Sequence, residues 1–272
     1  MTRSQTASGQ IVSPPRSSLP GAALLVLLII ILALSQFLPM AGRSWLFRIT
    51  LLAMPVAIAS RSIYTVHFCL FLVCYWLGDW FPHFSNPTFG KLTFLVLYAF
   101  AVVCIPALRD SVGWLHPGKS NRTVRALSLA TIVLASIALV AWVHYLNPDL
   151  HGYAKVLPSL PPVLMILFGI GFSAFNAAAE EIMWRGVMLE ALNSAFGPGF
   201  WPLAIQAASF GIAHYKGGFP SGIVGVCMVF VYGLVLGAIR VLSKGMLYCW
   251  LIHVAADSTI FSLIYIFMHA SK

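Results

Sequence analysis

Apolar runs separated by short polar breaks recur along most of the chain, covering residues 21–40, 62–80, 92–108, 126–146, 163–192, 222–241 and 246–268. A helix needs about 20 apolar residues to cross a bilayer core of about 30 Å, so this pattern predicts an all-α, polytopic transmembrane bundle. Two further runs are shorter: 45–60, which carries Arg48, and 200–214. The bundle has eight or nine spans, depending on whether 45–80 is one element or two joined at Ser60, Arg61 and Ser62. The run 163–192 is too long for one straight crossing at about 1.5 Å per residue, and so must tilt or project. Breaks fall at 81–90 and 147–162, rich in proline, at Gly197-Pro198-Gly199, at 215–221 and at the basic turn 242–245. Residues 1–20 are rich in Ser, Pro and Gln and read as a disordered tail, ahead of N-terminal transmembrane helices over 21–160.

Composition agrees, with 60% hydrophobic and 8% charged residues. The net charge of +9 does not imply a nucleic-acid partner, because the basic residues are scattered between apolar runs and form no stripe with interleaved aromatics. They follow topology instead. Arg109, Lys119, Arg122 and Arg125 make 109–125 the most basic connection, which places it on the cytoplasmic side. The five cysteines sit in apolar runs without CxxC spacing and read as free buried thiols. Lone histidines such as His67 and His144 read as helix–helix hydrogen-bond partners, and Gly233 and Gly237 as a close-packing seam.

Chemistry enters with three polar clusters in the last four apolar runs: Glu180 and Glu181 with Arg185, His214 with Phe210, and His253 with Asp257. An acidic residue near the bilayer centre costs about 3 kcal/mol on insertion scales, so such groups face a bundle interior or wet cavity and mark function. Glu181 and Arg185, Phe210 and His214, and His253 and Asp257 are each four residues apart and share a helix face. Glu180 and His214 are also equidistant from Gly197, 197 − 180 = 17 and 214 − 197 = 17 residues, so an antiparallel hairpin sets them side by side. Buried Glu, His and Asp also make proton relays, and a proton-linked transporter is the alternative class. Transporters carry internal repeats, and none is found here.

The strings EEIMWR, FGIAH and HVAAD fit EExxxR, FxxxH and HxxxN/D in order. In this the chain resembles the CPBP family of intramembrane proteases, the CAAX proteases and bacteriocin-processing proteins. The resemblance implies a catalytic transmembrane core over 161–272 and an endopeptidase acting on membrane-associated proteins or peptides at the lipid bilayer. Carried over, Glu180 and His214 activate water, His253 and the fourth-motif residue Asp257 stabilise the oxyanion or orient the site, and Glu181, Arg185 and Phe210 give structural support. The family commonly has asparagine where this chain has Asp257. An ionised aspartate cannot donate to an oxyanion, so Asp257 is protonated, orients His253, or binds metal. Glu180, His214, His253 and Asp257 together make a Zn²⁺ set, while the metal-free glutamic mechanism is the reading favoured. The resemblance leaves open a catalytically silent immunity or binding protein on the same fold. It implies a multi-pass protein of the plasma (inner) membrane if the source is bacterial.

Overall fold

The computed structural model describes residues 17–80, 87–155 and 157–270, and among these the regular structure is helical throughout. The tail reading for residues 1–16 and the loop reading for 81–86 lie outside the described residues. In order the helices are α1 (Leu19–Ser35), α2 (Met40–Ala59), α3 (Ile63–Trp80), α4 (Pro87–Cys104), α5 (Pro106–Arg109), α6 (Arg122–Leu146), α7 (His151–Ala154) and α8 (Pro162–Glu181). A π segment (Ile182–Met188) follows, then α9 (Leu189–Phe196), α10 (Phe200–Gly217), α11 (Gly222–Ser243) and α12 (Leu247–Ala270). Among the described residues four stretches are long and apolar enough to cross a membrane: Arg122–Leu146, Pro162–Phe196, Gly222–Ser243 and Leu247–His269. Shorter apolar stretches are Leu19–Ser35, Ile63–Leu77 and Thr93–Cys104. The chain is an integral membrane protein.

Several boundaries differ from the apolar pattern. Residues 87–90, expected in a loop, open α4. Pro106 has no N–H for Val102 and restricts Ile105 to extended backbone (φ −103°, ψ 106°), so the run expected at 92–108 ends at Cys104 and restarts as α5. Helix α10 continues past His214 to Gly217. The long run at 163–192 is a helix from Pro162 to Phe196 interrupted by the π segment.

The described residues form two compact units, one of those up to Trp114 with Val187–Pro202 and one of Leu115–Gly186 with those from Leu203 onward. In the first, α1 buries Leu24, Leu25, Leu28 and Leu32 along one face, at helical spacing, and is capped by the Ser18 hydroxyl on the Gly21 amide. His67 is the hydrogen-bond partner its isolation suggested: Nδ1 meets the Tyr98 hydroxyl of α4 at 2.7 Å, and Nε2 meets Ser111 Oγ at 2.7 Å.

In the second unit α12 packs against α6, α8 and α11. Phe261 fills the space over Gly169 of α8, where a Cβ would meet its ring, and Trp250 Nε1 donates to the Ala174 carbonyl at 2.8 Å. Helices α10 and α11 meet through small residues: a Cβ on Gly233 would lie 3.1 Å from Ala207, and Gln206 Nε2 donates to the Gly233 carbonyl at 3.0 Å. This is the close-packing use of the Gly233 and Gly237 seam. The connection before α6 is clasped to the α11–α12 turn, with the Lys119 amide on Ser243 O at 2.6 Å and the Met246 amide on His116 O at 2.8 Å.

Candidate active site

Glu180 and Glu181 end α8 where the backbone widens into the π segment, an irregularity that recurs at functional sites. Arg185 lies within that segment, fully buried, with Nη1 2.9 Å from Glu181 Oε1. Its guanidinium carbon lies 4.5 Å from the centre of the Phe210 ring. Among the described residues Arg185 Nε and Nη2 have no hydrogen-bond partner, so the Glu181 carboxylate is what balances the cation there.

The same Glu181 Oε1 lies 2.7 Å from His253 Nδ1. A carboxylate paired with arginine is ionised and can only accept, so Nδ1–H donates and the ring orientation is fixed. Nε2 of His253 then faces two further carboxylates, Glu180 Oε2 at 3.5 Å and Asp257 Oδ1 at 3.7 Å. The sequence reading gave Glu181 only Arg185 as partner; the geometry adds His253. Asp257 is ranged beside His253 at ion-pair distance and not in a direct hydrogen bond.

Asn176 was not singled out from the sequence. Its amide uses both hydrogens on carboxylates, Nδ2 donating to Asp257 Oδ2 at 2.9 Å and to Glu180 Oε1 at 3.3 Å. The signal available was its spacing, four residues before Glu180 on the same helix face. Asn176 joins Glu180 of α8 to Asp257 of α12, so these side chains share one polar island in an apolar bundle.

His214 sits on α10, its Nδ1 3.0 Å from the Phe210 carbonyl. A carbonyl only accepts, so Nδ1 carries the hydrogen and Nε2 is left as the basic nitrogen. The Phe210 ring lies between the two histidines, 4.8 Å from the His214 centroid and 5.9 Å from that of His253, and Trp184 packs on it at 4.7 Å. Tyr232 of α11 meets His253 edge-on at 5.8 Å.

His214, His253 and Asp257 line a cavity of about 520 Å³ whose other walls come from α6, α10, α11, α12 and the 219–220 segment. Those walls are almost wholly apolar, including Leu139, Phe219, Val235 and Ile260. Leu134 of α6 and Val231 of α11 both line it and are 65% and 59% exposed, so the cavity opens between these helices on the apolar face of the unit. It therefore sets a few polar groups against space suited to hydrocarbon.

Glu180, His214, His253 and Asp257 are the four residues that the sequence offers as a zinc set. Among the described residues no group of three or more His, Cys, Asp or Glu side chains is arranged to hold a metal ion. His253 is engaged through Nδ1 by Glu181, and Asp257 Oδ2 is taken by Asn176.

Residues 161–259 match the family model described as type II CAAX prenyl endopeptidase Rce1-like. The matched segment contains every residue of the polar island and His214, and it is consistent with the CPBP and CAAX protease family named from the motifs. The family implies a protease acting at a lipid bilayer on a peptide substrate. No curated protein and no solved structure matches the chain.

Proposed function

We propose, on the premise that residues 161–259 form an Rce1-like protease domain, that the chain is an intramembrane endopeptidase using a glutamate-activated water. The observation that carries this reading is the placement of His253. Its Nδ1–H is on Glu181 and its Nε2 is turned toward Glu180 and Asp257, at the wall of an apolar cavity that His214 also lines.

In this reaction water sits between Glu180 and Nε2 of His214. Glu180 takes a proton from it as the oxygen attacks the peptide carbonyl, forming a C–O bond. The oxyanion is held by Nε2–H of His253, a donor oriented by Glu181 before the substrate arrives. The C–N bond then breaks, and the proton held by Glu180 passes to the leaving amine. Asp257, held by Asn176, stands beside Nε2 of His253 and steadies that donor in place. Asp257 thus acts on the oxyanion through His253 and need not donate itself.

The apolar cavity supports a substrate with hydrocarbon attached near the scissile bond, such as a prenylated C-terminal peptide. The test is cleavage of a fluorogenic farnesylated peptide by the full chain in detergent micelles, with mass spectrometry of the products. Wild-type protein cleaves it, and Glu180→Gln, which keeps shape and removes the base, loses about 10²- to 10⁴-fold in kcat. A folded Glu180→Gln protein with wild-type turnover overturns the assignment.

A further inference from the structure

The segment following His214 is built against the imidazole itself. Gly218 passes so close that a Cβ there would collide with His214 Cγ and Cδ2, and would lie 2.6 Å from His214 Cα. At the neighbouring Gly217 a Cβ would meet nothing within 4 Å. The close approach is thus specific to the one backbone unit that covers the ring.

That backbone unit is anchored from its other side. The Tyr153 hydroxyl of α7 donates to the Gly218 carbonyl at 2.6 Å, across 65 residues of sequence. Phe219, next in the chain, is buried between Trp142 of α6 and Tyr153, at centroid separations of 5.0 and 5.4 Å with edge-on geometry. Leu139, Leu150 and Ala256 belong to the same apolar cluster. Phe219 also lines the cavity. The chain from 217 to 220 is therefore a strap fixed by Tyr153 and Trp142 on one side and pressed on the imidazole on the other.

We infer that Tyr153 is a positioning residue for the reaction, acting through Gly218 to hold His214 in the one orientation that keeps Nδ1 on the Phe210 carbonyl. This rests on the proposed role of His214 as a partner of the attacking water. The physical need is clear: a half-exposed histidine near the end of a helix has other side-chain rotamers open to it. The strap occupies the space those rotamers would use. Freed by about 1 Å, a reacting group can lose about 10²-fold in rate, because alignment is a large part of the acceleration.

Two readouts test it on the full chain in micelles. With the farnesylated fluorogenic peptide, Tyr153→Phe lowers kcat about 10-fold and Gly218→Ala about 10²-fold, with KM within about twofold, the larger figure following from the cost of misplacement. Gly217→Ala stays at the wild-type rate. Since both changes act on one imidazole, the double variant Tyr153→Phe/Gly218→Ala is no slower than Gly218→Ala alone. Nitrogen NMR of labelled histidine reads the ring without turnover: wild type shows one Nδ1-protonated tautomer for His214, and Tyr153→Phe shows exchange between tautomers or a broadened signal. An unchanged His214 spectrum in Tyr153→Phe overturns the inference, as does wild-type kcat in both single variants, or a loss carried by KM or by melting temperature. Wild-type protein that cleaves no peptide refutes the protease reading instead, and full activity in Glu180→Gln and His214→Ala refutes the assigned water site; in either case the spectrum still decides the strap.

Discussion

Replacing Glu181 by glutamine isolates the part of the site that is electrostatic support. Arg185 is wholly buried and Glu181 is 1% exposed, with 2.9 Å between Nη1 and Oε1. Glutamine keeps the volume and the hydrogen-bonding oxygen but removes the negative charge paired with the guanidinium, leaving the Phe210 ring at 4.5 Å beside it. Cation–π attraction of about 2 kcal/mol in a desolvated site does not offset the loss. Breaking a buried pair from one side costs about 3 to 5 kcal/mol. At roughly 2 to 4 °C per kcal/mol for a chain near this size, the apparent melting temperature in micelles falls by roughly 6 to 20 °C. The matched control is Glu181→Met/Arg185→Met, which removes both charges and fills the space; it recovers most of the stability, because a paired replacement by apolar groups is commonly neutral or better. Its activity stays low, since His253 loses the acceptor on Nδ1. Melting by intrinsic fluorescence, with peptide cleavage on the same samples, reads both effects. If Glu181→Gln melts within about 1 °C of wild type, or if the double variant is as unstable as the single one, the charge is solvated and the reasoning fails; the burial magnitudes above come from pairs of this type.

Asp257→Asn retains most activity because its side-chain oxygen can still accept from Asn176, whereas Asn176→Asp sets a third carboxylate against Glu180 and Asp257 and lowers both kcat and melting temperature; steady-state kinetics of the two variants distinguishes them. Gly211→Val forces a side chain onto the Val226 carbonyl, 2.8 Å from where its Cβ would lie, and loses about 1 to 3 kcal/mol by overpacking α10 on α11, seen as a lower melting temperature. In the connection after α6, the His151 amide and ring nitrogen both hydrogen-bond to Asp149 and hold its carboxyl below the usual range. A lowered folded pKa contributes stability above the unfolded pKa that is lost as pH falls through the folded value, so the melting difference between wild type and Asp149→Asn is present at neutral pH and vanishes in acid. A difference that grows on acidification would contradict the assignment.

The sequence carried the chemistry-bearing helices well, because four-residue spacing of polar groups in apolar runs survives folding: Glu181 with Arg185, and Phe210 with His214, meet as spaced. His67 also behaved as an isolated membrane histidine should. What the sequence hid depended on partners far along the chain. Glu181 had an obvious local mate in Arg185, and nothing local revealed that the same oxygen also holds His253, 72 residues later. Asn176 is chemically plain until Asp257 arrives beside it. The π segment has no composition of its own, since an extra residue per turn is selected by packing. The break at Ile105 was readable from Pro106 and was overridden by the apolar run around it.

The ion pair at the end of α8 also has a place in time. Chains emerge at about 5 to 20 residues per second, so the 72 residues from Glu181 to His253 take roughly 4 to 14 s to synthesise. Throughout that interval neither His253 nor Asp257 exists to accompany the acidic residues of α8. Arg185 follows Glu181 by four residues, within a second, and closes an intrahelical pair that needs no other part of the protein. The nascent segment can thus enter the bilayer carrying one compensated charge pair, with Glu180 met by the Asn176 amide one turn earlier on the same helix. A group later used to aim His253 first serves as an escort for insertion, and exchanging Arg185 for a neutral residue would burden biogenesis before it ever touched catalysis.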